Sequence, residues 1–105
     1  MKADLLAKKV YMITAYFPRH ELYGITSQIR RASLSIILNI IEGFARGGDK
    51  EFKRFLIISF GSLKETKYLL SFALEQNYLS QAAYQEIMNP AEETVHILWS
   101  IIHKE

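Results

Sequence analysis

The sequence predicts an all-α protein, an antiparallel up-and-down four-helix bundle that forms a single domain over residues 1–105. Apolar residues recur at helical spacing along most of the chain, and no hairpin signal such as Asn-Gly or Asp-Gly interrupts them. The chain has only two prolines and five glycines, which argues against a turn-rich all-β protein. Half of its residues are apolar and 23% are charged, as is typical of one folded domain with a modest core.

Helices 1 and 2 are bounded by residues that disfavour helical geometry. Helix 1 is expected over residues 4–17, because Pro18 steers the residue before it away from the helical region. Helix 2 is expected to begin at residue 21 or 25 and to end at residue 46. Gly47-Gly48 follows it and can adopt the left-handed geometry of a helix C-terminus.

Helices 3 and 4 are expected to begin at capping side chains. Asp49 resembles the N-cap of helix 3, which would run to about residue 76, and Ser80 resembles the N-cap of helix 4, which would run to about residue 103. Pro90 lies inside helix 4, where Asn89 could cap a fresh helix. The apolar residues keep one phase across Pro90, so a kinked continuous helix is favoured. The short connections make sequential helices antiparallel neighbours.

Helix 2 carries more apolar surface than one subunit can bury. Its apolar arc spans about 240°, whereas a surface helix needs a stripe of only about 100–140°. The core set is either Ile25, Ile29, Ile36 and Ile40 or the opposite Leu34, Ile37 and Ile41. Helix 3 shows a milder version of the same excess of apolar surface. Gly61 in the middle of helix 3 costs about 1 kcal/mol of helix stability relative to alanine, and close approach of a neighbouring helix would explain why a glycine is present there.

We therefore predict a homo-oligomer that associates through helices 2 and 3, because apolar patches of this size are rare on monomers. The alternative is that helix 2 is simply the most buried helix of a monomer. The residues predicted at the oligomer interface are Leu34, Ile37, Leu38, Ile41, Phe44, Ile57, Ile58, Gly61 and Phe72.

Several segments of helices 2 and 3 resemble one known family, at residues 23–33, 35–36, 39–46, 49–56 and 61–65. Together they resemble the four helix bundle proteins first noticed as products of intervening sequences in bacterial 23S rRNA genes. The resemblance covers nearly the whole chain. It implies an antiparallel bundle that assembles as a ring, typically a homopentamer. It also implies kinship with the basic accessory protein of diversity-generating retroelements, which binds nucleic acid and a reverse transcriptase, and it brings no established enzymatic activity.

A narrow polar seam runs along helix 2 between its apolar faces. It consists of Gln28, Arg31, Ser35, Asn39, Glu42 and Arg46, spaced three or four residues apart. The seam matches the family's motif, and it could be a recognition surface or the lining of a central channel. The structural alternative is favoured, in which Glu42 pairs with Arg46 and the seam sets the register between helices.

Basic residues concentrate in the middle of the chain. Residues 19–67 hold nine Lys or Arg and five Asp or Glu, whereas residues 68–105 hold one Lys and five Glu. A ring would repeat the basic sector of helix 3 and could neutralise phosphates, although an ordinary solvated face is the alternative. The candidate residues for binding RNA or DNA are Arg31, Arg46, Lys50, Lys53, Arg54, Lys64 and Lys67.

Other chemistries have little support in the sequence. There is no cysteine, no phosphate loop and no triad signature, so an enzyme is not expected. Glu93 and His96 form a single Glu-x-x-His match, and neither a metal nor another cofactor is expected. The longest uncharged stretch, residues 32–41, is too short to span a membrane, so we expect a cytoplasmic protein. The leading hypothesis is a non-catalytic oligomeric binding or scaffold module, and the alternative is a protein–protein adaptor without a nucleic-acid ligand.

Overall fold

The chain folds into four long helices, which a computed structural model describes over residues 1–104. They are α1 (Lys2–Thr14), α2 (Ile25–Arg46), α3 (Asp49–Glu75) and α4 (Gln81–Ile102), with a short 3₁₀ helix at Arg19–Glu21 between α1 and α2. Each helix packs against the next one in the chain, and α1 also packs against α4. The predicted antiparallel four-helix bundle is confirmed, and residues 1–104 contain no β-strand.

All four helices contribute to one hydrophobic core. Leu6 of α1, Leu63 of α3 and Leu98 of α4 are almost completely buried. On α2, the structure decides between the two candidate core sets: the buried residues are Ile25, Ile29, Ile36 and Ile40. Ser59 of α3, also buried, donates a hydrogen bond of 2.7 Å to the carbonyl oxygen of Ile36, which fixes α3 against α2. The opposite face of α2 is therefore left outside the core.

Helix α1 ends three residues earlier than the sequence predicts. The last residue of α1 is Thr14, whose hydroxyl group donates a 2.7 Å hydrogen bond to the carbonyl oxygen of Val10. The chain then tightens, since the amide of Phe17 bonds to the carbonyl oxygen of Thr14 three residues back. This turn places the buried ring of Phe17 5.7 Å from the ring of Tyr78. Helix α1 thus ends before Phe17, because burying the Phe17 ring in the core requires the chain to leave the helix.

The connections use residues with positive φ, but the glycines after α2 do not form the expected left-handed helical cap, because Gly47 and Gly48 have ψ values of 147° and 136°. Gly47 and Gly48 have φ values of 66° and 90° and separate α2 from α3. The expected cap at Asp49 is wrong by one residue, because Gly48 occupies the N-cap position and Asp49 already belongs to the helix. Between α3 and α4, Asn77 adopts φ 63°, and the amide of Tyr78 bonds to the carbonyl oxygen of Ala73, as in a Schellman motif.

Helix α4 begins and continues as expected. The side chain of Ser80 accepts a 3.1 Å hydrogen bond from the amide of Ala83, which confirms Ser80 as the N-cap. Pro90 lies within the helix and is buried, so the predicted continuous helix is confirmed. Thr94 donates a hydrogen bond of 2.7 Å to the carbonyl oxygen of Pro90 one turn back.

The close approach between helices occurs at a different glycine from the one expected. A methyl group added at Gly61 would meet no atom of residues 1–104 within 4 Å, so packing inside the bundle does not account for that glycine. Gly43 of α2 is the buried one. A Cβ there would lie 3.0 Å from Cβ of Phe55 and 3.2 Å from Cδ1 of Phe52 on α3. Gly43 thus allows α2 and α3 to pack closely near their connection.

Candidate functional site

The outer faces of α2 and α3 expose large apolar side chains. Seven of the residues predicted at the oligomer interface are between 36% and 69% exposed, namely Leu34, Leu38, Ile41, Phe44, Ile57, Ile58 and Phe72. Gly61 is exposed among them. Ile37 differs, because it is half-buried and packs against the core, so less of its side chain is available to a partner. The surface formed by these seven side chains and Gly61 is called the outer apolar face below.

The polar seam of α2 lies along α3 and opens into a groove between the two helices. The groove measures about 650 Å³. The hydroxyls of Ser35 and Ser62 share a hydrogen bond of 2.9 Å across it. Asn39 donates to the carbonyl and hydroxyl oxygens of Ser35 at 2.8 Å and 2.9 Å. The Ser35–Ser62 bond joins α2 to α3, and the Asn39 bonds lie within α2 and hold Ser35 in place, which supports the structural interpretation of this part of the seam.

The two ends of the seam differ in their surroundings. At one end, Gln28 and Arg31 line the groove together with Glu65 and Tyr68 of α3. At the other end, Nε of Arg46 donates a 2.9 Å hydrogen bond to Glu42, as the spacing of four predicts. Arg46 is therefore paired with a carboxylate, whereas Arg31 at the groove end forms no ion pair with residues 1–104.

Aromatic contacts add to the ion pairs near the start of α3. The guanidinium groups of Arg46 and Arg54 lie 5.3 Å and 4.6 Å from the ring centre of Phe55. Arg54 also donates hydrogen bonds to Glu51, and these hold the pKa of the Glu51 carboxyl below its usual value. Both arginines are thus tied to a carboxylate and an aromatic ring.

The seven basic residues predicted to bind nucleic acid therefore fall into two groups. Arg46, Arg54 and Lys67 form ion pairs with Glu42, Glu51 and Glu92 respectively. The ion pairs of residues 1–104 leave the other four without a carboxylate partner, namely Arg31, Lys50, Lys53 and Lys64. All four are exposed. The second group is the part of the basic sector that can meet phosphates.

Lys67 acts between helices. Its ammonium group on α3 contacts the carboxylate of Glu92 on α4, and the Lys67 side chain is only 22% exposed. The hydrogen bond from Lys67 is the main cause that lowers the pKa of the Glu92 carboxyl, with weaker help from the charges of His96 and Lys64. Lys67 therefore holds α3 to α4, and it is a poor candidate for a phosphate contact.

An aromatic cluster that the sequence did not predict lies beside Lys64. Trp99 of α4 lies with its ring centre 6.1 Å from that of Phe60 and 3.7 Å from that of His103. Lys64 places Nζ 5.7 Å from the centre of the Phe60 ring. The available signal was the spacing of four between Trp99 and His103, which puts the only tryptophan beside a histidine on one helix face.

Two further properties concern the part of the chain that the structure describes. No three His, Cys, Asp or Glu side chains of residues 1–104 come together in a way that could hold a metal ion. Glu93 of the Glu-x-x-His match instead lies 3.3 Å from the ammonium group of Lys2. None of the four helices is both long and apolar enough to cross a membrane.

Comparison with known proteins identifies the family but brings no established activity. The chain is similar to a protein of unknown function from the S23 ribosomal protein family of Bacteroides thetaiotaomicron, known from a crystal structure. The two are 25% identical and superpose with a TM-score of 0.90, over 98% of this chain and 96% of the other. No match is found among curated proteins. The sequence pattern of the 23S rRNA-intervening sequence proteins matches residues 1–100. This chain therefore belongs to the family of 23S rRNA-intervening sequence proteins.

Proposed function

We propose that this protein is a non-catalytic, self-assembling helical module that binds RNA or DNA through the basic surface of α3. The observation that carries the proposal is the outer apolar face, which the core of one bundle leaves uncovered. Large apolar side chains exposed together on two neighbouring helices are typical of an interaction site. A second copy of the chain is its proposed occupant, and a closed ring such as a pentamer would cover this face on every subunit.

The groove between α2 and α3 supports a binding role in preference to catalysis. Its serines, Ser35 and Ser62, are hydrogen-bonded to each other, and no histidine is among the residues that line it. A nucleophilic serine needs an adjacent general base to become reactive. Arg31 and Glu65 give the groove one charge of each sign, which suits a polar contact with a neighbouring subunit.

Four cations make nucleic acid the proposed ligand. Lys50, Lys53 and Lys64 are exposed on α3, and Arg31 lies at the groove between α2 and α3. Each phosphate that a cation neutralises releases a counterion, so the affinity should fall steeply as salt rises. Assembly would repeat the four cations on each subunit and so multiply the number of phosphates within reach.

Fluorescence anisotropy with labelled RNA and DNA at low and moderate salt tests this proposal. The double substitution Lys53→Glu with Lys64→Glu should abolish binding without changing the mass of the assembly. Lys8→Glu with Arg19→Glu is the matched control, since it makes the same change in net charge away from α3.

Three results would count against the proposal. Absence of any binding at low ionic strength would remove nucleic acid as the ligand and favour the protein–protein adaptor. Equal loss of binding in both double variants would show that net charge alone matters. A monodisperse 12 kDa species at every concentration would remove self-assembly.

A further inference from the structure

The edge between α3 and α4 combines an exposed aromatic platform with unpaired cations. We propose that this edge takes a single-stranded nucleic acid, with a base stacked on Trp99 and phosphates held by Lys53 and Lys64. The inference rests on the proposed nucleic-acid binding and deepens it. It specifies that the ligand is single-stranded and names Trp99 as the residue that distinguishes a single strand from a duplex. Trp99 and Lys53 lie on different helices, so only the packing of α3 on α4 brings the two features together.

Trp99 is supported on two sides but is not covered. Its side chain is 53% exposed, although tryptophan is usually well buried. The ring centre of His103 lies 3.7 Å away at an angle of 44° between planes, and the ring centre of Phe60 lies 6.1 Å away. These two rings restrict the orientation of the indole while leaving part of its surface to solvent. An indole held in this way can accept a base at low entropic cost.

The lysines lie on the same side of α3 as the aromatic cluster. Lys53, Phe60 and Lys64 are spaced by seven and four residues and therefore share one helix face. The two lysines are separated by about 16 Å along the helix axis, with Phe60 between them. Because Phe60 contacts Trp99, the exposed indole is flanked by a cation in both directions along the helix. A strand that follows α3 would pass all three positions.

The nearest carboxylate of α4 does not cancel this positive charge. Glu92 is occupied by the ammonium group of Lys67, which lies one turn beyond Lys64. Glu92 also lies near enough to Lys64 for the charge of that lysine to lower the Glu92 pKa, but the two form no ion pair. Lys53 and Lys64 themselves form no ion pair with residues 1–104. The cluster therefore combines an aromatic stacking surface with two exposed lysines that form no ion pair, and a polyanion with flat apolar groups complements both.

A single strand fits this surface better than a duplex does. Every base has a flat face that can stack on an aromatic side chain, and this contact needs no particular sequence. In a duplex those faces are already stacked on neighbouring bases, and exposing one costs free energy. A helical duplex could still reach the lysines, but it would leave Trp99 without a partner. Trp99 should therefore discriminate single strands from duplexes.

The chain contains only one tryptophan, so fluorescence excited at the red edge of the indole absorption, where the six tyrosines do not absorb, reports on this site alone. The probes are an unlabelled 12-nucleotide oligouridine and a 12-base-pair RNA duplex. The single strand should quench the fluorescence of Trp99 in a saturable manner, and the duplex should not. In anisotropy measurements with the labelled probes, Trp99→Ala should weaken single-strand binding by about 5- to 150-fold and leave duplex binding nearly unchanged.

Two variants separate stacking from a loss of structure. Trp99→Phe keeps an aromatic ring and should retain most of the single-strand affinity. Tyr23→Ala removes a 93% exposed aromatic residue at the other end of the bundle, and it should change nothing. Circular dichroism of each variant should match that of the parent protein.

The outcomes distinguish this inference from the proposed function. Single-strand binding with unchanged tryptophan fluorescence and a normal affinity of Trp99→Ala would overturn stacking, while nucleic-acid binding would stand. Equal weakening of single-strand and duplex binding in Trp99→Ala would overturn stacking as well. Equal quenching by poly-glutamate would point to an acidic protein as the partner. If neither nucleic acid binds at low salt, both the inference and the proposed ligand are refuted.

Discussion

Replacement of Ile41 by aspartate should break the assembly without unfolding the subunit. Ile41 is 56% exposed on the outer apolar face, so its substitution disturbs little of the core. Surface substitutions of this kind usually change the free energy of unfolding by less than about 0.5 kcal/mol. Ile37→Asp would be a poorer test, because Ile37 packs against the core and its loss would also destabilise the fold.

The exposed fractions give the size of the expected effect. Seven side chains of the outer apolar face are each between 36% and 69% exposed, so about half of each remains to be buried. At ~1.5–3 kcal/mol for a whole side chain, seven halves contribute about 5–10 kcal/mol per subunit. The loss of translational and rotational freedom on association costs of order 4–15 kcal/mol, so this cost is similar in size to the free energy gained by burying the outer apolar face. Loss of the exposed half of Ile41, together with burial of a carboxylate, should cost at least about 2 kcal/mol per contact, or ~30-fold in the association constant.

Light scattering coupled to size-exclusion chromatography measures this effect over a dilution series. The parent chain should show a multiple of 12.2 kDa, and Ile41→Asp should shift to smaller species with unchanged helical circular dichroism. Ile97→Asp is the matched control, because Ile97 is 50% exposed on α4 and lies outside the outer apolar face. If Ile41→Asp keeps the parent mass, or if Ile97→Asp dissociates equally, the outer apolar face is not the contact surface.

Two further predictions concern stability. In the Ile41→Asp variant, where no second copy should cover Gly61, Gly61→Ala should raise the melting temperature by several degrees, because it adds about 1 kcal/mol of helix propensity. Gly43→Ala in the same variant should lower the melting temperature by pressing on Phe55, and shifts in the same direction would contradict the packing described above. Because Lys67 lowers the pKa of Glu92, their ion pair stabilises the fold at pH values above 4.5, the ordinary pKa of a glutamate side chain. This stabilisation is lost as the pH falls through the lowered pKa of Glu92. Glu92→Gln should therefore lose less stability than the parent between pH 7 and pH 3 in thermal melts, and an equal loss would show that the pair contributes nothing.

Membership of the family does not establish a function for this chain. The relative from Bacteroides thetaiotaomicron shares the fold over nearly its whole length, and its function is unknown. Nucleic-acid binding and ring assembly are therefore proposals about this chain that rest on its own surfaces. The residues that decide them are exposed side chains, which a shared backbone fold does not fix.

The local signals of the sequence predicted where most helices begin and end. Gly47-Gly48 and Ser80 act over a few residues, so backbone geometry and one capping bond are enough to place them. The end of α1 was predicted too late because it depends on Phe17, whose ring leaves the helix to join the core. Helix propensity depends on residues that are close in the sequence, so it cannot predict a contact between Phe17 and Tyr78, which lies sixty-one residues further along the chain.

The helical period of the apolar residues was enough to predict the fold class and the surplus of apolar surface on α2. It did not determine which face of α2 is buried, since Ile36 and Ile41 are equally apolar and only contact with α1 and α3 distinguishes them. It also did not determine which cations are available. Lys64 and Lys67 look alike in the sequence, but Lys67 meets Glu92 across the helix pair and Lys64 lies beside the aromatic cluster. Those distinctions depend on which helices become neighbours, and packing of the whole chain decides that.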